Sequence, residues 1–219
     1  MHRTNAVVLI NPNTSATTTD MMAAMLREQL AARRDLAVRA VTAAQGPGMI
    51  VTADALCAAA TEVLAAALRT GTEGTAAFVV GAFGDPGIEE LRAAVCVPVV
   101  GIGEAALLEA GDTAFAVVTT TPGLVQAIAD RIDALGLADR CVGIRCTEGD
   151  PRDLAGRPEL QSERLAAAVD LSVGRDGARK VVIGGGPLTE SARVLAGRSD
   201  VPLVVPVAAA GRRVRQLLG

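Results

Sequence analysis

Two segments of this chain follow one pattern, and that repeat constrains the fold more than any other feature. FVVGAFGDPGIEELRAAVCVPVVG, from Phe78, parallels VVIGGGPLTESARVLAGRSDVPLVVP, from Val181. Each is an apolar β-rich run, a glycine-rich turn and a proline-started amphipathic stretch, then Val-Pro and a second apolar run. Gly81 precedes Pro98 by 17 positions, and Gly184 precedes Pro202 by 18. A second pair, LINPNT from Leu9 and VVTTTP from Val117, comes before them in the same order. Ile10 to Gly81 is 71 positions and Val118 to Gly184 is 66. A chain of 219 residues thus reads as two related α/β halves sharing a waist.

The rest of the sequence fills in those halves. Ala6–Ile10, Leu36–Val41, Thr75–Val80 and Pro98–Val100 read as strands, separated by helices over Thr17–Ala32, Thr52–Arg69 and Pro86–Ala94. After a helix over Glu104–Glu109, the pattern resumes with strands at Thr113–Thr119, Val142–Arg145, Lys180–Ile183 and Leu203–Val205. Helices over Pro122–Leu135, Glu159–Val173, Leu188–Ala196 and Ala208–Leu218 alternate with them. This alternation implies parallel sheets, and the continuously apolar strands imply that both sheet faces are covered. The polar stretch Thr147–Pro158 reads as a solvated connection, with a lid as the alternative.

Composition excludes several functions. A net charge of −3 without a basic block disfavours nucleic acid. With no Trp or Tyr and only Phe78, Phe83 and Phe115, there is no platform for stacking bases. The single histidine, His2, sits at the start of the chain, so histidine-based triads and metal sites lack their central residue. Lys180, the single lysine, precedes a strand, away from the strand ends that bind ligands. Cys57, Cys96, Cys141 and Cys146 form no CxxC, and a five-residue strand holds the last two about 16 Å apart. The reading is a reduced cytoplasmic protein with no membrane span, signal peptide, metal or cofactor. The alanine-rich helices suit homo-oligomer contacts.

In parallel α/β units the strand C-termini gather the ligand. Here those ends are Asn11–Thr14, Gly81–Asp85, Thr119–Thr121 and Gly184–Gly186. The candidate substrate contacts are Asn11, Asn13, Thr14, Ala82, Phe83, Gly84, Thr119, Thr120, Gly185 and Gly186. Glycines admit close backbone approach, helix starts favour developing negative charge, and the Asn and Thr side chains supply neutral donors and acceptors. Such a cleft suits a small polar anion or a cyclic amide. Asp85 is either the N-cap of the helix that Pro86 starts or a base. Glu190 is either solvated in a first helical turn or a second acid–base group. GAFGDPG lacks the Lys-Ser/Thr ending of a phosphate loop, so nucleotide binding is not expected.

INPNTS, GAFGDPG, VPVVGIGEAAL, VVTT and VPLVVPVAAA together resemble the hydantoin and allantoin racemases of the aspartate/glutamate racemase superfamily. The resemblance runs nearly the whole chain. It implies two α/β halves related by a pseudo-twofold, with the active site between them. The halves would be residues 1–100 plus 207–219, and residues 101–206. It also implies a small-molecule substrate and a mechanism in which one thiol removes a proton from one face and a second thiol returns it to the other. The first thiol of a GCFGDPG pattern would stand at Ala82 and that of a GCAG-like turn at Gly185, so both are replaced here. Of the cysteines present, only Cys146 lies at a strand end that could approach the cleft. Three functions remain open: a racemase or isomerase using Asp85, Glu190 or a water, a lyase or decarboxylase with a backbone oxyanion pocket, and a ligand-binding homologue without chemistry.

Overall fold

The computed structural model describes residues 5–219; His2 lies outside the described residues. In chain order the elements are β1 (Asn5–Asn11), α1 (Ala16–Leu30), β2 (Leu36–Thr42), α2 (Ala53–Thr70), β3 (Thr75–Val80), α3 (Ile88–Ala94), β4 (Val99–Gly101) and α4 (Ile102–Ala110). They continue with β5 (Phe115–Thr119), α5 (Val125–Ala134), β6 (Cys141–Cys146), α6 (Pro151–Ala155), α7 (Pro158–Gly174), β7 (Lys180–Ile183), α8 (Thr189–Ala196), β8 (Leu203–Val204) and α9 (Pro206–Leu218). The sheets are ordered β2-β1-β3-β4 and β6-β5-β7-β8, and every pairing is parallel. The same order in both halves is the fold-level form of the sequence repeat.

Strand alternation explains the layers. Val7 and Leu9 of β1 and Val79 of β3 share one core cluster with Phe115, Val117 and Val182 of the second sheet. Helices α1, α4 and α9 fill that shared core through Met22, Leu26, Ile102, Leu107, Val207 and Val214. The opposite faces are separate: Val8 and Ile10 pack with Val63 and Leu91 under α2 and α3, and Val118 and Ile183 pack with Leu165 and Leu195 under α7 and α8. Period-two side chains buried on both faces are what a two-sided parallel sheet demands.

Two expectations change. Helix α3 begins at Ile88 with Gly87 before it, so Asp85 is not its N-cap. Asp85 takes a left-handed backbone (φ 49°), and the Asp-Pro-Gly segment forms a turn instead of a first helical turn. The Thr147–Pro158 stretch is not merely a solvated connection. It contains α6, capped by Asp150 and opened by Pro151, with Pro151 and Leu154 buried.

Candidate active site

The ends of β1 and β5 are built alike. Asn11, fully buried, donates from Nδ2 to Asn13 Oδ1 (2.9 Å) and to Thr19 Oγ1 (3.0 Å). Its own Oδ1 accepts from Asn13 N (3.3 Å). Thr119, also fully buried, donates to Gly184 O (2.8 Å), so Thr121 Oγ1 at 2.9 Å must donate to it. Thr121 N also reaches Thr119 Oγ1 (3.3 Å). In each half the strand's last residue holds the residue two positions on in place. The central strand then hands its neighbour across: Gly81 N donates to Ile10 O (2.8 Å) and Gly184 N to Val118 O (2.7 Å).

The two glycine turns meet where the halves meet. A Cβ on Gly186 would lie 2.8 Å from Met22 Sδ and 3.3 Å from Gly81 O, so only glycine lets the turns approach this closely. Between them is a cavity of about 60 Å³. The first half contributes Asn13, Met49, Ile50, Gly81, Ala82 and Phe83 to its lining. The second contributes Thr120, Thr121, Leu124, Ile128, Pro151, Gln161 and the run Gly184–Leu188. No described residue that lines this cleft has an ionisable side chain. Its polar side chains are Asn13, Thr120, Thr121 and Gln161.

The sequence-predicted contacts divide accordingly. Asn13, Ala82, Phe83, Thr120, Gly185 and Gly186 line the cleft. Asn11 and Thr119 stand behind them as supports. Thr14 is exposed, with its N–H on Pro47 O (3.1 Å). Gly84 (φ 117°) faces Leu56 instead. Glu190 is exposed in the first turn of α8, outside the cleft lining.

Asp85 does not reach the cavity either. Its carboxylate accepts from the N–H groups of Gly103 (2.9 Å) and Glu104 (2.6 Å), capping α4. A Cβ on Gly101 would lie 2.3 Å from that carboxyl carbon, which explains the Gly-Ile-Gly at this helix start. Arg131 Nε of α5 stands 3.5 Å away, and the same guanidinium pairs with Glu104. Burial pushes the Asp85 carboxyl up to about 6, against the pull of the two N–H groups and of Arg131.

The thiols are also elsewhere. Cys57 and Cys96 are exposed, Cys141 and Cys146 are partly buried, and all four are free. Burial raises the pKa of Cys141 and Cys146, which disfavours the thiolate, and neither lines the cleft. Lys180 pairs with Asp112 (2.7 Å) at the start of β7. Among the described residues no cluster of His, Cys, Asp and Glu could hold a metal ion.

Sequence reasoning missed Met49, Ile50, Leu124, Ile128, Pro151, Gln161, Pro187 and Leu188. Met49–Ile50 and Pro151 lie in the segments that follow the edge strands β2 and β6. Those strands end on the same side as β1 and β5, so the strand-end rule, applied to all strands, would have pointed to these connections.

The sequence profile of the Asp/Glu/Hydantoin racemase family matches residues 7–214. The hydantoin racemase of Pseudomonas sp. (strain NS671) is 30% identical over 205 residues, covering 93% of this chain and 82% of that one. The allantoin racemase from Klebsiella pneumoniae superposes with a TM-score of 0.90 at 28% identity, over 98% of this chain and 87% of that one. The allantoin racemase of Pseudomonas fluorescens gives a TM-score of 0.90 at 26% identity, over 97% and 90%. Together with two like-ordered parallel sheets meeting at paired glycine turns, these matches make the chain a member of the Asp/Glu/hydantoin racemase family.

Proposed function

We propose that this racemase-family chain binds a small, neutral cyclic amide of the hydantoin or allantoin type and promotes proton exchange at its acidic carbon without a thiol pair. One observation carries the reading: Ala82 and Gly185, one on the glycine turn of each half, line the same cleft. By the family resemblance, these are the positions from which a pair of thiols would address opposite faces of a substrate. With neither thiol present, we assign the proton-carrying role to water. The C–H proton leaves to solvent, the charge passes to the ring carbonyl oxygen, and a proton returns from either side. Asn13 and Thr120 are the neutral groups that would stabilise that oxygen. Removing a positioned acid or base typically costs about 10²–10⁴-fold, so the native rate would be low.

Among the described residues the cleft wall gives no counter-ion to a carboxylate or an ammonium, which favours a neutral ligand over an amino acid. The lyase reading draws no such support. We further propose that the chain works without a cofactor in the cytoplasm, in keeping with four unpaired cysteines. The exposed Leu108 and Leu217, on α4 and α9, would suit contact between copies.

The test is α-proton exchange in D₂O, followed by NMR over hydantoins, allantoin, aspartate and glutamate. The native chain is compared with the double variant Ala82→Cys/Gly185→Cys. Gly185 has an extended backbone (φ 165°), and a Cβ there meets only the flexible Leu188 side chain at 3.1 Å, so cysteine can be accommodated. Slow exchange of cyclic amides by the native chain is expected, faster by at least about 10²-fold in the double variant. Silence from both would overturn the reading.

A further inference from the structure

The cleft wall contains two side-chain amides, Asn13 from the first half and Gln161 from the second. Each is tied at one end and unbonded at the other. The Asn13 oxygen is fully engaged, since Oδ1 accepts from Asn11 Nδ2 (2.9 Å) and from the backbone N–H of Ser15 (2.9 Å). A backbone N–H can only donate, so these bonds fix the amide's orientation. The group Asn13 has left is Nδ2, a donor. Gln161, 8% exposed on α7, is tied at the opposite end: Nε2 donates to Ser191 Oγ (3.0 Å). Ser191 Oγ also takes the hydroxyl of Ser162 (3.2 Å). Gln161 Oε1 bonds to no described residue and is not fully shut away from solvent, and Gln161 lines the cavity. The group Gln161 has left is an acceptor.

We propose that Asn13 and Gln161 read a ring amide from its two sides, Asn13 Nδ2 donating to a ring carbonyl and Gln161 Oε1 accepting from a ring N–H. Gln161 is therefore a specificity-determining residue. This rests on the reading of the ligand as a neutral cyclic amide and goes further, because it requires an N–H on the ring. A ligand without one leaves a buried acceptor unpaired. A carboxylate would set its own lone pairs against Oε1 with no cation in the wall to compensate. Sites built to bond an N–H discriminate strongly against shapes that lack it.

The test is a ligand-by-protein cycle with calorimetric affinities. Three probes carry the same isopropyl group at ring position 5. They are the hydantoin, its 3-methyl derivative, and the oxazolidine-2,4-dione in which oxygen replaces the position-1 N–H with little change of shape. The native chain is expected to bind the hydantoin at least about tenfold tighter than the probe lacking the N–H that is read. Gln161→Met should weaken hydantoin binding about tenfold and leave that poorer probe within about twofold, so the preference collapses. Ser191→Ala, which frees Nε2 without touching the cleft wall, should relax the preference in the same direction, with an unchanged circular dichroism spectrum showing that the fold is retained.

Equal affinity of the native chain for all three probes would overturn the proposal, as would a preference that survives Gln161→Met. No binding by any of the three would overturn it too. D₂O exchange on the same samples separates the two readings. Exchange without N–H preference sinks only the role of Gln161, and an N–H preference without exchange in the native chain or in Ala82→Cys/Gly185→Cys sinks only the proton-transfer reading.

Discussion

Asp85 holds a backbone conformation that non-glycine residues seldom adopt, and its side chain explains why it is kept. Its carboxylate fits against the first turn of α4 because Gly101 and Gly103 carry no side chain. Two N–H groups and the helix dipole favour its charged form, and complete burial opposes it. Burial dominates, since the carboxyl is pushed from 3.8 up to about 6. A group whose pKa is raised on folding stabilises the fold fully below its unfolded value. That contribution is lost as pH rises through the folded one. Between pH 4 and 7 the native chain is therefore expected to lose about 2–3 kcal/mol relative to Asp85→Asn, read from urea unfolding at each pH. Parallel curves for the two proteins would show that burial does not govern this carboxyl.

At the scale of elements, the repeat made the sheets legible. Each strand read from the sequence lies within two residues of its observed bounds, and both halves share one strand order. The glycine turns and the Asn and Thr residues at the strand ends were legible too, because strand C-termini collect ligand contacts whatever the family. Asp85 was misread because its partner is non-local. The sequence offers Pro86 next door, but the first N–H that the Asp85 carboxylate takes, that of Gly103, lies 18 residues on. Gln161 carried no signal, since one glutamine on an amphipathic helix looks like any other until the halves are assembled. Helix α6 did carry one, Asp150 before Pro151, a capping residue followed by proline at the first position. Its five residues are too short to show helical periodicity. Because Pro151 lines the cleft, Asp150→Ala should fray α6 and weaken 5-isopropylhydantoin binding about fivefold, the worth of one lost cap. Hydrogen exchange over residues 151–155 would rise, and the midpoint of thermal unfolding would stay within about 2 °C.

Across the whole molecule the halves are joined by the shared core and by ion pairs, those of Arg131 beside Arg193–Glu28 and Arg212–Glu109. Arg131, on α5 of the second half, reaches Asp85 and Glu89 of the first and Glu104 of α4. Arg131→Met leaves Asp85 buried without a cation and is expected to cost about 3 kcal/mol in urea unfolding. Adding Asp85→Asn should recover part of that loss, a non-additivity that a double-mutant cycle measures. The cleft between the halves is the reverse of this charged seam, a wall in which no described residue titrates. A protein that brings no proton of its own to the site cannot impose a pH optimum on what happens there. On the proposed reading, the slope of rate against pH then belongs to the carbon acid in the cleft and to hydroxide in the solvent. The chain sets only how far that curve is lifted above the one drawn in buffer.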